Sequence, residues 1–381
     1  MDYYLTKEQK ILRKTIIQYI RENVNSILTY EHFTKAVWDK CAKGGLLAYN
    51  LNMEYGQVNF DIMTQMILTE AIGYACEDSG LVFAINNHLW ACQAVIQKFG
   101  SKKIKNSLLS DMGNGNLIGC YAVTESGAGS DNNSMKTTFS VNEDSYIIKG
   151  SKTFISNAPI ADVFVVIAKD LNKKSIDKYS AFVVKHDYKG VLIRNEISKM
   201  GLKGCPMSEI IFKDCKVPKD NLLGGLNNGV HIMNTAMEFE RFFEFVSHIG
   251  AMRRLLKKCL DYVKIREQSD AKIENFQSVS NRIANIRMNI ELAMNMAVNI
   301  CNLMMNNKSV YLETAIFKLF VSEKYIEACR DAMQIHGAYG YSKESGFERE
   351  LRDALGSSIY AGTNEIQQNI IYRMAQYEHY E

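Results

Sequence analysis

Residues 234–245 read NTAMEFERFFEF, which sets Glu238, Glu240, Arg241 and Glu244 among Met237, Phe239, Phe242, Phe243 and Phe245. Side chains three and four apart share one face of a helix. Glu240 therefore falls on an apolar line with Met233, Ala236, Met237, Phe243 and Ser247, whereas Glu238 keeps the wetter company of Asn234, Thr235, Arg241 and Phe242. A glutamate on such a stripe either pairs with an arginine or reaches solvent, or it is held out of water because a reaction uses it.

A second group of candidates lies in YAVTESGAGSD, residues 121–131. Thr124, Ser126, Ser130 and the successive amides near Gly127 and Gly129 can wrap an anionic or heteroaromatic ligand. The stretch matches neither a Walker A nor a G-x-G-x-x-G pattern, and taken alone it also reads as a turn-rich linker into a sheet. GNGNLIG at 113–119 carries less, and the lysine of GSKTFIS, 150–156, lacks a preceding glycine loop and reads as part of a strand. Metal chemistry is not supported. The seven histidines include no H-E-x-x-H, and His88, His231, His248 and His336 read as packed or surface residues. Nine scattered cysteines without a C-x-x-C pair read as reduced core thiols.

Three zones must position these groups. Up to about residue 118 the periodicity is helical. Thr6 and Gln9 suit a capping box ahead of Leu12, Ile16, Tyr19 and Ile20, and Asp61 suits the cap of a helix carrying Ile62, Met66, Ile67 and Ala71. SGLVFAINNHLWACQAVIQKFG then reads as a mostly buried helix that stops at Gly100. From about 119 to 225, the runs YIIKG, KTFIS, DVFVVIAK, SAFVVK, VLIRNEI and SEIIFKDCKVP predict strands of an antiparallel barrel or sandwich. After GGLNNG, helical patterns cover roughly 230–265, 277–306 and 311–337, with methionines as adaptable core filler. The predicted domains are thus 1–118, 119–225 and 226–381. Helices, then sheet, then helices, without βαβ alternation, disfavour a doubly wound nucleotide fold.

With 381 residues, 47% hydrophobic and 23% charged, the chain has the composition of an ordinary globular protein of two or three domain-sized units. A net charge of +3 without a long basic run gives no nucleic-acid partner. No apolar run nears the roughly 20 residues that span a bilayer, so no membrane partner is expected. The charged start MDYYLTKEQK has no secretory core, so a cytoplasmic location is expected.

Taken in order, YAVTESGAGSD, GSKTFISNAPIAD, IIFKDCKVP, MEFER, QIHGAYGY and LRDALGSSIYAGTNEIQ resemble the acyl-CoA dehydrogenase family over essentially the whole chain. The resemblance implies an α+β multidomain fold: an N-terminal helical domain, a middle antiparallel β-domain and a C-terminal four-helix bundle. It also implies FAD held between the β-domain and the bundle, in a homotetramer or dimer. The implied reaction is α,β-dehydrogenation of an acyl thioester, in which a carboxylate takes the α proton and the β hydrogen leaves as hydride. Such a base needs an apolar pocket that lifts its pKa above about 4.3, and the thioester oxygen needs donors where negative charge develops. Many members keep the base immediately before a Gly-Thr pair in the C-terminal loop, where this chain has Ala361. Others, the isovaleryl- and long-chain enzymes among them, carry it on a bundle helix just before an arginine. That position is Glu240, followed by Arg241, and Ala361 still offers its backbone N–H to the thioester oxygen.

By the same resemblance Tyr121, Val123 and Thr124 contact the flavin, and Ser130 meets cofactor and substrate. Phe154 stands where a tryptophan often flanks the flavin, and Ser156 where a threonine bonds it. Arg266 and Gln277 reach FAD across a subunit boundary, Gln334 and Gly337 belong to a pyrophosphate-binding loop, and Thr363 and Glu365 approach the cofactor from the C-terminal loop. Arg241, Tyr360 and Gly362 belong to the substrate side. Two departures touch the adenine end: Ser269 and Asp270 replace an aromatic and a glycine, and Gly337-Ala338 replaces Gly-Gly.

EDSGLVFAINNHLWAC, SNAPIADVFVV, CPMSEIIFKDCKVP and FERFFEF look closest to members acting on acyl or aminoacyl groups tethered to carrier proteins, such as prolyl-carrier-protein dehydrogenases. Carrier protein and coenzyme A share the phosphopantetheine arm, so the catalytic residues leave a short or branched acyl-CoA open. They also leave open whether an electron-transfer flavoprotein or oxygen takes the electrons. Arg253, Arg254, Lys257 and Lys258 read either as a docking face for an acidic carrier or as a solvated helix face.

Overall fold

The computed structural model describes residues 5–30, 32–55, 58–173 and 178–377. Its N-terminal helices begin where side chains satisfy the first backbone donors. In α1 (Lys7–Tyr19), Gln9 N–H donates to Thr6 Oγ1 at 3.2 Å and Thr6 N–H donates to Gln9 Oε1 at 2.9 Å, the expected capping box. After α2 (Lys35–Lys43), Asp61 accepts from Thr64 N–H at 2.7 Å and opens α3 (Ile62–Ala75). The long apolar run expected to end at Gly100 forms α4 (Ser79–Asn86), a π turn over Asn87–Gln93, and α5 (Ala94–Phe99). α6 (Lys102–Gly113) leads into the sheet.

The strands are β1 (Gly119–Ala122), β2 (Thr138–Val141), β3 (Ser145–Ser156), β4 (Val163–Asp170), β5 (Tyr179–Lys185), β6 (Val191–Ile193), β7 (Met207–Pro218) and β8 (Leu222–Leu223). They form one sheet ordered β6-β7-β3-β2-β4-β5-β8, with β1 paired to β4. Most ladders are antiparallel as expected, but β1 and β2 both run parallel to β4. The β2–β3 hairpin lies between β1 and β4 in the chain and serves as the crossover that parallel pairing requires. Residues 163–168 of β4 are buried on both faces, which explains an unbroken apolar run where a half-buried strand would alternate.

The C-terminal helices are α7 (Gly229–Phe239), a π turn over Glu240–Glu244, α8 (Phe245–Val263), α9 (Gln277–Met305), α10 (Tyr311–Tyr341), α11 (Phe347–Leu355) and α12 (Asn364–Ala375). α10 packs on α8, α9, α11 and α12, and α3 crosses α8. At that crossing a Cβ on Gly73 would lie 1.9 Å from the Ser247 carbonyl oxygen, and one on Gly250 would lie 2.1 Å from that of Glu70. Glycine alone allows this approach, and it fixes the rod that carries the π turn. All nine cysteines are buried and free. Among the described residues no helix is long and apolar enough to cross a membrane.

The basic row on α8 divides between buried and exposed residues. Arg254 is buried, donates to both oxygens of Glu350 at 2.7 and 3.0 Å and to the Cys76 carbonyl at 2.5 Å, and also bonds the Gly73 carbonyl. Arg253 reaches Glu70 at 3.3 Å, Lys257 pairs with Asp261 at 2.7 Å, and Lys258 lies 5.7 Å above the Phe347 ring. Arg253 and Arg254 tie α8 to α3 and α11, whereas Lys257, paired within its own helix, stays exposed.

Candidate active site

Two π turns, Asn87–Gln93 and Glu240–Glu244, lie against each other. Each interrupts a longer helical rod, a distortion that helices often keep at functional sites. A narrow cleft opens beside them, with Glu240 and Glu244 on one side and Asn86, Asn87 and Trp90 on the other. Phe83, Tyr360 and Ala361 complete its wall. Trp90 stacks on Phe243 at 3.4 Å and 4°, the Tyr360 ring sits 4.6 Å from that of Phe83, and the Tyr360 hydroxyl meets His248 Nε2 at 2.5 Å. These rings leave an apolar wall around the carboxylates.

Glu240 is only partly buried by accessible area. Its open surface faces the cleft, where aromatic walls displace most of the water that would solvate a charge. Burial accordingly pushes its pKa up to about 7, with Arg241 pulling the other way. That value suits a proton acceptor working near neutral pH. Glu244 is 5% exposed. Burial pushes its pKa well above the usual glutamate range; the Asn86 side chain pulls it down and the Glu240 charge pushes it further up.

The opposite wall comes from the loop ahead of α12. Ala361 adopts φ 55° and Gly362 φ 82°, left-handed backbone that strains a non-glycine residue. Two side chains hold this loop by its carbonyls. Arg241, itself buried, donates Nε–H to Ala361 O at 3.1 Å. Gln367 donates Nε2–H to the carbonyls of Ala361, Gly362 and Thr363 at 3.3, 2.9 and 3.3 Å. Ala361 N–H donates to no other described residue. Tyr360 and Ala361 line the cleft, whereas Arg241 and Gly362 act one layer behind it.

The sheet supplies a neighbouring surface. Tyr121 on β1 is buried; burial first, and then the Glu240 charge, push its phenol pKa well up. The Tyr121 hydroxyl has no hydrogen-bond partner. Thr153 N–H donates to Thr124 O at 2.8 Å, which sets Val123 and Thr124 beside the bulge between Lys152 and Ile155 on β3. There Phe154 takes φ 56° and stays 57% exposed, with Ser156 two residues on. An exposed aromatic at positive φ and an unpaired buried hydroxyl are groups that could serve a flat heteroaromatic ring. Lys152 is no phosphate ligand: its Nζ is buried, 2.9 Å from Glu125, which also accepts from the N–H groups of Lys136 and Thr137 at 2.6 and 2.9 Å.

The remaining predicted residues lie outside the cleft. Ser130, Arg266, Gln277, Gln334 and Gly337 are exposed. Thr363 caps α12 by accepting from Ile366 N–H at 3.4 Å, and Glu365 is exposed in the first turn of that helix. Gly337 takes φ 60° and ψ −139°, open to glycine, and breaks α10 there. Ser269 and Asp270, at φ 51° and 57°, form the two-residue turn of a hairpin that pairs Gln268 with Ala271. Positive φ at both central residues is the favoured hairpin turn, so the altered sequence still folds into a tight turn.

A larger hollow of about 480 Å³ lies under the glycine loop between Glu125, Lys136 and Glu209. It contains neither cleft carboxylate nor Ala361. Sequence reasoning had not singled out Glu244, Asn86, Asn87 or Trp90 for the site. The signal available was the pair Asn86-Asn87 interrupting an apolar run, and an acid four residues after Glu240.

The sequence models for the acyl-CoA dehydrogenase N-terminal, middle and C-terminal domains match residues 6–116, 120–215 and 227–376. Over 343 residues the chain is 34% identical to an L-prolyl-[peptidyl-carrier protein] dehydrogenase of Pseudomonas fluorescens, covering 90% of each chain. Its fold matches the prolyl acyl carrier protein oxidase AnaB at a TM-score of 0.93 and 33% identity, covering 97% of this chain and 99% of the other. It matches PigA with FAD and proline at 0.94 and 31%, covering 99% of each.

Proposed function

Because the chain belongs to the acyl-CoA dehydrogenase family, we propose that it is an FAD-dependent dehydrogenase acting on a small acyl or prolyl-like group tethered through a thioester to a carrier protein. The observation that carries this reading is that the Glu240 carboxylate and Ala361 share one aromatic-walled cleft. Its likeness to relatives described as acting on prolyl carrier proteins supports the carrier.

Glu240, ionised near neutral pH, takes the proton from the α carbon and holds it on its carboxyl. Ala361 N–H donates to the thioester oxygen as negative charge grows there. Arg241 and Gln367 keep that amide in place by holding the carbonyls on its far side. Tyr121, Val123, Thr124, Phe154 and Ser156 would hold the flavin ring, with Ser130, Thr363 and Glu365 nearby. FAD, when bound, supplies the acceptor for the β hydrogen. Arg266, Gln277, Gln334 and Gly337 would serve the rest of the cofactor, the first two from a neighbouring copy.

The test is anaerobic mixing of the flavin-loaded protein with prolyl-, seryl- and short acyl-carrier proteins and with the matching coenzyme A esters. Loss of oxidised-flavin absorbance with the carrier-tethered substrates supports the reading. Bleaching confined to coenzyme A esters would overturn the carrier assignment. The likeness to AnaB, described as an oxidase, favours a second reading in which oxygen rather than an electron-transfer flavoprotein takes the electrons. Peroxide formed in air without an added acceptor separates the two.

A further inference from the structure

We propose that Glu244 recognises a basic nitrogen on the acyl group, so that the cleft selects aminoacyl over hydrocarbon thioesters. The proposal rests on the acyl-thioester reading above and names the substrate class of the same site.

The cleft is equipped for something other than a hydrocarbon. Glu244 Oε1, Asn86 Nδ2 and Asn87 Oδ1 are each buried without a hydrogen-bond partner, and their residues are 5%, 2% and 8% exposed. All three residues line the cleft that holds Glu240. Buried polar atoms are almost always paired, and one left unpaired points to a ligand or water that completes it. Asn86 Nδ2 is a donor that already acts on the Glu244 carboxyl, so the two acceptors, Glu244 Oε1 and Asn87 Oδ1, are what a hydrocarbon chain filling this space would seal from water with nothing given back. An amino group does the opposite, since its N–H donors match the carboxyl of Glu244 and the amide oxygen of Asn87. Among the described residues no ion pair holds Glu244 ionised, so an incoming amine takes the carboxyl proton and pairs with the carboxylate through charge-assisted hydrogen bonds.

Position agrees with chemistry. In an aminoacyl thioester the nitrogen is bonded to the α carbon, the atom whose proton Glu240 removes. A group that reads that nitrogen must therefore lie beside the base, and Glu244 follows Glu240 by four residues within one π turn. The two acids are not interchangeable. Glu240 has an adjoining guanidinium that draws its pKa down and is the more open of the two; Glu244 lines the same cleft, is 5% exposed and has no cation among the groups that shift it. This assigns proton removal to the first and nitrogen recognition to the second.

The experiment compares prolyl-carrier protein with cyclopentanecarbonyl-carrier protein, the same ring with carbon in place of nitrogen, by rate of flavin bleaching. Glu244→Gln keeps shape and removes the charge. It should lower kcat/KM for the prolyl substrate on the order of 10- to 100-fold, the range of a lost charge-assisted hydrogen bond, and leave the carbocyclic substrate within about threefold. An unchanged ratio between the two substrates in the variant would overturn the proposal, as would a parent protein that prefers the carbocycle. If E244Q stops bleaching with both substrates while flavin stays bound, Glu244 is needed for the reaction itself and the proposal fails. A parent that bleaches with seryl- or alanyl-carrier protein but not prolyl, and loses that preference in the variant, upholds the proposal while refuting the prolyl reading. A parent bleached by no thioester of any kind refutes both.

Discussion

Replacing Glu240 by glutamine tests the base in two independent ways, through stability and through reaction. The carboxyl has a pKa of about 7 in the fold against 4.5 unperturbed. At about 1.4 kcal/mol per pH unit, keeping it ionised inside the protein costs about 3 kcal/mol. Below pH 4.5 folded and unfolded forms are both protonated, and the group contributes no difference. Between 4.5 and about 7 the unfolded chain has released its proton while the folded one keeps it, so stability falls as pH rises. Above that the loss is complete. Glu240→Gln escapes it, so urea unfolding should show equal stability near pH 4.5 and a variant up to about 3 kcal/mol more stable at pH 8. Its bound flavin should no longer bleach with substrate, whereas bleaching by the parent should quicken through pH 7 and then level off. Equal stabilities at pH 8, or rapid bleaching by the variant, would show that this carboxylate is not the desolvated base.

Ala361→Gly keeps the N–H and relieves left-handed backbone, so it should keep bleaching rates within about threefold and change stability by no more than about 1 kcal/mol; a tenfold rate loss would mean that the methyl group matters. Arg241→Lys keeps the charge beside Glu240 but loses the Nε–H bond to Ala361 O, so kcat should fall by roughly tenfold or more with the pH midpoint of bleaching unmoved. A shifted midpoint with unchanged kcat would reverse the assignment of Arg241 as the residue that positions the loop. Arg254→Met leaves buried Glu350 with the Tyr325 hydroxyl but without its paired cation and should destabilise by about 3–5 kcal/mol in urea unfolding, whereas an exposed docking residue would leave stability alone.

The legible parts of the sequence were those set by neighbours along the chain. The capping box at Thr6, the cap at Asp61 and the three-zone order follow from local donors, periods and turns. The nearness of Glu240 to Ala361 was legible because the apolar stripe and the alanine at 361 pointed to one cleft, which both line. What escaped depends on distant groups. The pairing of β1 and β2 with β4 is parallel because a hairpin intervenes, and the residues of β4 do not announce that direction. Arg254 looked solvated because Glu350 and the carbonyls of Gly73 and Cys76 come from elsewhere in the chain. Asn86 and Asn87 belong to the site only because two π turns meet, and a pattern read at 3.6 residues per turn contains no π turn.

With Glu240 proposed as the base, the acid moves from loop to helix, which changes what each element must do. A loop residue that both removes a proton and donates an amide must hold side chain and backbone correct at once. Here the loop supplies only an amide at φ 55°, which an alanine provides, and the side-chain task passes to a rod pinned where Gly73 and Gly250 let α3 and α8 touch. Glu240 and Arg241 then divide the labour within one dipeptide, since the first faces the cleft while the second holds the Ala361 carbonyl at 3.1 Å. Any shift of the π turn carries acid and amide together, so the distance that matters for the reaction is protected by a covalent neighbour. The unpaired Glu244 sits in the same turn for the same reason: a nitrogen on the α carbon can be read only from beside the group that takes the α proton.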